Sequence, residues 1–331
     1  MGESVDLTER VGTHQHGHHL LAESAVVFFD YNLWPITHIS GWAQGTGTTV
    51  TAPAHHGRRH SWHHRRVTVD LHVHRYGPGR PAHVLALHGL TGHGQRWQQL
   101  ATGYLPEIAV AAPDLLGHGR SSWAAPWTID ANVEALAALL EEQADTPVVV
   151  VGHSFGGAVA LHLAAAHPDK VAALVLLDPA VGLDGAWMRE IADAMLAAPD
   201  YPTAAQARAD KATGSWSDVD PAVLDAELDE HLVALPSGRY GWRVSLPAMM
   251  SYWSELARDI VWPPRTTPTT VVRARRTSPP YVGDELIGGL RRRLGSGFEL
   301  LDFDCQHMVA QAKPAEVAAL IRRHMHHRCP Q

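Results

Sequence analysis

The stretch VVVVGHSFGG, Val148 to Gly157, decides the fold. Four β-branched residues in a row suit a strand buried on both faces. The run ends at a serine with a glycine two residues to either side, and an alanine-rich helical pattern begins at Phe155. Gly152-His-Ser-Phe-Gly156 therefore fits G-x-S-x-G in the strand-to-helix setting the pattern needs. So sharp a turn puts the serine in a strained backbone conformation, and glycines remove the side chains that would collide as the helix packs back. The hydroxyl is then exposed at the carboxyl edge of a sheet, near the positive end of the next helix. It becomes a nucleophile only if a base and an acid are brought to it.

Working outward, Val67 to Tyr76 alternates apolar and polar residues before Gly77-Pro78-Gly79, the pattern of an antiparallel hairpin arm. Further β-prone runs are predicted at His83 to His88, Ile108 to Pro113, Val148 to Val151, Val171 to Leu177, Thr269 to Val272 and Phe298 to Leu301. Helices are predicted over Gln95 to Leu105, Ile129 to Gln143, Phe155 to His167, Leu286 to Leu294 and Pro314 to Met325. Such alternation means an α/β, mostly parallel, doubly wound sheet. Pro179 to Arg265 interrupts it with helical patterns and no convincing strand, which reads as a helical insertion above the sheet. The expected division is a core of residues 67–178 and 266–331 with a lid of residues 179–265.

Composition narrows the function. A chain of 331 residues with 45% hydrophobic content can bury one large core with an inserted subdomain, or two modest domains. Its net charge of −7 gives no case for nucleic acid, and Arg291 to Arg293 read as a solvated helix face. Two cysteines, Cys305 and Cys329, are too few for a disulfide framework, so a reducing, cytoplasmic compartment is expected. No segment has the length of a membrane span.

Residues 1–66 hold ten of the 24 histidines, with no sustained period, and read as a disordered or artefactual extension. Leu20 to Phe29 is apolar but contains Glu23 and lacks a basic start and a cleavage site, so secretion is not expected. His16, His18 and His19, or His63 and His64, read as adventitious metal binders rather than a defined ligand set.

The other members of a serine device follow from strand order. The base is expected after the last strand, where "LLDFDCQHMV" places His307. His153 adjoins the serine but is expected to point the other way around the turn, and His118 to shape the pocket rim. For the oxyanion, the Phe155 N–H is one expected donor and the Leu90 N–H, in the loop His88-Gly89-Leu90-Thr91, is the other. The acid is open. After Thr269 to Val272 no carboxylate appears until Asp284 and Glu285, which open a helix; the alternative is Asp178, at the end of "VLLDP". Asp302 and Asp304 lie too close to His307 in sequence to serve easily.

The motifs "LHGLTGHG" (87–94), "DLLGHGRSS" (114–122), "VGHSFGG" (151–157), "LVLLDPA" (174–180) and "DCQHMV" (304–309), in that order, resemble the α/β-hydrolase superfamily, and at finer grain the lipase/esterase group of actinobacteria. The resemblance implies the α/β-hydrolase fold with a helical lid inserted after the sixth strand. It also implies a serine carboxylic-ester hydrolase using Ser154, His307 and the Leu90 and Phe155 N–H groups. Related esterases with a segment like "TSPPYVGDEL" (277–286) place the acid one strand earlier, which favours Asp178. His88, Gly89, His153, Trp187 and Trp253 are the candidate substrate contacts, with His88 chiefly ordering its turn. The aromatic and methionine side chains of the insertion suggest an apolar cleft for a medium or long acyl chain. A small-molecule or lipid ester is the expected partner, with transient lipid-surface contact open, and no metal or organic cofactor is needed. The same scaffold also serves carbon-carbon bond hydrolases, cofactor-free peroxidases and low-turnover receptors.

Overall fold

The computed structural model describes residues 70–326; the N-terminal extension and its histidine clusters lie outside them. In chain order the first elements are β1 (Val73–Tyr76), β2 (Val84–Leu87), a 3₁₀ turn (Gly94–Trp97), α1 (Gln98–Tyr104), β3 (Val110–Pro113) and α2 (Ile129–Gln143). Next come β4 (Val148–His153), α3 (Phe155–Ala166) and β5 (Val171–Leu177). Helices α4 (Gly185–Ala197), α5 (Ala204–Thr213) and α6 (Pro221–His231) follow, then β6 (Leu232–Ala234), β7 (Tyr240–Trp242) and α7 (Leu246–Glu255). The chain returns through β8 (Thr269–Ala274), α8 (Asp284–Leu294), β9 (Phe298–Phe303), α9 (Val309–Ala312) and α10 (Pro314–His326).

Seven strands form one sheet in the order β1-β3-β2-β4-β5-β8-β9, parallel except for the β1–β3 pair. The valines of β4 show why. Successive side chains of a strand face opposite sides. Val148 and Val150 enter the core under α2, α3 and α8, whereas Val149 and Val151 enter the one under α1 and α10. All four are fully buried, each contributing roughly 1.5–3 kcal/mol.

Two expectations are corrected. Among the described residues the helical insertion leaves the sheet after the fifth strand, not the sixth, because β5 pairs directly with β8 and the insertion itself forms the crossover between these parallel neighbours. The insertion also contains a short antiparallel hairpin, β6–β7, whose three-residue strands are too brief to show an alternating pattern.

The elbow is tightly built. Ser154 has φ 53° and ψ −118°, a region costing on the order of 1–3 kcal/mol for a residue with a side chain. Three hydrogen bonds hold it there: its N–H donates to the Leu177 carbonyl (3.0 Å), and its carbonyl accepts from the Gly157 (2.9 Å) and Ala180 (3.1 Å) N–H groups. A Cβ on Gly152 would fall 2.4 Å from the Gly156 carbonyl oxygen, and one on Gly156 2.4 Å from that of Leu87. Backbone cannot yield to such a clash. Gly156→Ala is therefore expected to lower unfolding stability by about 2–3 kcal/mol, measured by chemical denaturation; an unchanged midpoint would contradict this account of the elbow.

Candidate active site

Ser154 follows the central strand β4, Asp178 follows the adjacent strand β5, and His307 lies in the loop after the edge strand β9. Parallel register brings all three to one edge of the sheet. His307 Nδ1 lies 2.7 Å from Asp178 Oδ2. The carboxylate can only accept, so Nδ1 carries the proton and Nε2 is left as the basic nitrogen.

Asp178 is itself held. Its φ is 42°, its N–H donates to the Val272 carbonyl (2.7 Å), and its Oδ1 accepts from the Ala274 N–H (3.1 Å). Thr277 Oγ1 donates to Oδ2 at 3.3 Å. The end of β8 and the segment after it, which lack a carboxylate, thus supply donors that fix one carried by the neighbouring strand. The other carboxylates are elsewhere. Asp284 is exposed in the first turn of α8, where an acidic group complements the helix dipole. Asp302 pairs with Arg273 (2.7 Å) and Asp304 with Arg276 (2.6 Å).

Ser154 and His307 line one pocket with Gly89, Leu90, Thr91, Arg96, His153, Ser215, Trp253 and Met308. Phe155 opens α3, so its N–H is among those with no partner inside the helix. Leu90 sits in the turn closed by the Gly92 N–H on the Gly89 carbonyl (3.1 Å). The pocket is closed down, with about 20 Å³ of free space, room for one water molecule. Trp253, one of the side chains lining it, is carried on α7, which Tyr252 pins to the core. The Tyr252 hydroxyl donates to the Leu116 carbonyl (3.0 Å) and accepts from Asn132 Nδ2 (2.9 Å). A larger groove of about 360 Å³, bounded by α1 and α6, shares Arg96 with this pocket.

Two histidines and a tryptophan differ from expectation, and His88 keeps its expected role in the turn but not the one of substrate contact. His88 does not line the serine pocket; it is buried, its Nδ1 donating to the Gly89 carbonyl (2.8 Å) while Nε2 accepts from the Leu115 N–H (2.9 Å). Burial holds its pKa well below the ordinary histidine value, so it orders the turn as a neutral ring. His153 does not point away from the catalytic groups. Its Nε2 donates to the His307 carbonyl (2.8 Å), and the two rings lie 4.5 Å apart, so it braces the loop that carries His307. His118 is in the core rather than on the rim, packed between His88, Phe155 and Tyr252, and burial lowers its pKa to about 4. Trp187 packs on Tyr281 with tilted rings (5.5 Å), and Tyr281 packs in turn on His307 (4.5 Å); Trp187 backs the site and does not line it.

Arg96, Thr91, Ser215 and Met308 line the pocket without having been singled out from sequence. Cys305, fully buried, has its thiol pushed up to about 12 by desolvation, which removes it as a rival nucleophile. Among the described residues, His72, His74 and Asp114 form a group whose ligand atoms lie within 4.8 Å of one another. None of the three lines the serine pocket, and both Asp114 oxygens already accept backbone N–H groups, from Gly94 and Arg120.

Comparison with known proteins agrees with the architecture. Residues 84–320 match the Alpha/beta hydrolase family. Lipase LipV of Mycobacterium tuberculosis is 74% identical over 254 residues, covering 77% of this chain and 97% of that protein. Esterase Rv0045c of the same organism is 42% identical over a shorter stretch, 31% of this chain and 35% of that protein. Among solved structures, a marine microorganism esterase superposes with a TM-score of 0.62 at 22% identity, covering 77% of this chain and 99% of its own. E-2-(acetamidomethylene)succinate hydrolase does so with 0.66 at 18%, over 78% and 96%. The parallel sheet, the serine elbow and the match over most of the folded chain lead to one assignment: this chain belongs to the α/β-hydrolase family.

Proposed function

We propose that the chain hydrolyses carboxylic esters through Ser154, His307 and Asp178. The observation that carries the reading is the 2.7 Å His307–Asp178 hydrogen bond beside a serine held at positive φ. The high identity to a protein named as a lipase supports the substrate class. His307 Nε2 takes the Ser154 proton as the oxygen attacks the ester carbonyl. The Phe155 and Leu90 N–H groups stabilise the developing oxyanion, the alcohol leaves protonated by His307, and water activated by the same nitrogen releases the acid. Asp178 holds the imidazole in the productive tautomer and stabilises the imidazolium.

The acyl chain lies against the apolar side chains of Leu90, Trp253 and Met308, which suit an uncharged acid of medium or long chain. Since the free space beside Ser154 admits only a water, such a chain enters with rearrangement of the side chains that line the pocket.

Hydrolysis of p-nitrophenyl esters tests the assignment. Ser154→Ala is expected to abolish turnover with an unchanged melting temperature; retained turnover would refute the serine mechanism. Asp178→Asn is expected to reduce kcat by about 10³–10⁴-fold through loss of the tautomer control, while Asp284→Asn stays close to wild type. Reversal of those two effects would move the acid to α8.

A further inference from the structure

We propose that Glu227, carried on α6 of the insertion, is a positioning residue for the oxyanion turn. It holds Arg96, and Arg96 holds the turn bearing the Leu90 N–H, so seating the insertion and completing the oxyanion site are one event. This rests on the reading of the Leu90 N–H as an oxyanion donor.

The connection is continuous. Arg96 Nη2 donates to Glu227 Oε1 (2.6 Å) and to the Thr91 carbonyl (3.1 Å). Its Nε lies 3.1 Å from both Glu227 oxygens, which fixes the guanidinium plane against the carboxylate. Thr91 has φ 58°, so the turn is held in a conformation its own side chain disfavours. Arg96 on the Thr91 carbonyl and His88 on the Gly89 carbonyl both hold that turn. The backbone of Arg96 is tied in turn to the histidine side of the site, its carbonyl accepting from Gln311 Nε2 (2.9 Å).

Glu227 is buried and also accepts from Lys211 Nζ (3.0 Å) and His93 Nε2 (2.8 Å). Desolvation alone would raise its pKa; the Arg96, Lys211 and His93 contacts outweigh it and hold the carboxyl well below the usual range. A buried ion cluster of this kind is a poor source of stability, since well-packed apolar residues often do as well. What it supplies is direction. The carboxylate comes from the insertion and the guanidinium from the core, and one guanidinium nitrogen, Nη2, donates both to the carboxylate and to a carbonyl one residue from the oxyanion donor.

The test uses the full chain and p-nitrophenyl acetate, an acyl group small enough to need little of the acyl path. Glu227→Asp keeps the charge and draws it back by one methylene; Arg96→Lys keeps the charge and loses the fork. Both are expected to lose kcat by roughly ten- to a hundred-fold, up to the loss from removing an oxyanion donor outright, with KM changing by less than about three-fold. Affinity for an arylboronic acid, which forms a tetrahedral adduct on the serine, should fall by the same factor as kcat. The double variant should be no worse than the poorer single one. Asp225→Asn, on the same helix but in a surface pair with Arg208, should match wild type.

Folded Glu227→Asp and Arg96→Lys proteins with kcat and boronate affinity within two-fold of wild type would overturn the proposal. So would losses that multiply in the double variant. Turnover undiminished in Ser154→Ala would fail the serine reading and take the clamp with it, whereas an inert Ser154→Ala beside an unimpaired Glu227→Asp fails the clamp alone.

Discussion

The hydrogen bond between His307 and Asp178 joins two loops 129 residues apart in sequence, and it exists only because the sheet is in register. Asp178 follows β5, His307 follows β9, and β8 runs between the two strands. The intervening strand is therefore part of the device. Its last residue, Ala274, gives an N–H to the carboxylate, and the Arg275 and Arg276 N–H groups bond the carbonyls of Phe303 and Cys305 at the start of the histidine loop. A register slip of one residue at β8 would break contacts on both sides at once.

The same economy applies to strain. Ser154, Asp178 and Thr91 are the non-glycine residues at positive φ among those described, and all three lie at the site. Each is held by contacts from a neighbouring element: Leu177 and Ala180 on Ser154, Val272 on Asp178, Arg96 on Thr91. Such conformations persist where the surroundings over-determine them. The insertion contributes to that over-determination on both sides of the pocket. Asp218 Oδ2 accepts from the Gln306 N–H (2.6 Å) on the histidine loop, while Glu227 reaches the oxyanion turn through Arg96.

Much of this was legible in the sequence. The β4 valines, the glycine-flanked serine and strand order placed Ser154 and His307, and the missing acid after β8 pointed back to Asp178. What sequence obscured was orientation. The sequence places His153 beside the serine and His118 in the loop after β3, but whether a ring beside a sharp turn faces the core, the solvent or a neighbour depends on what packs against it. Glu227 was hidden differently. It occupies the inward stripe of α6 with Leu224, Leu228 and His231, a position where period alone predicts an apolar residue. A carboxylate in that stripe was the available signal, and its partners Arg96 and Lys211 come from two other helical segments that no local pattern connects.

The central claim is that one serine, made reactive by its surroundings, forms a covalent acyl intermediate. Treating the native chain with a fluorophosphonate and locating the adduct by peptide mass spectrometry addresses it directly. The account predicts one adduct per chain, on Ser154, with concurrent loss of esterase activity. An adduct on another residue, or full inactivation with Ser154 unmodified, would contradict it.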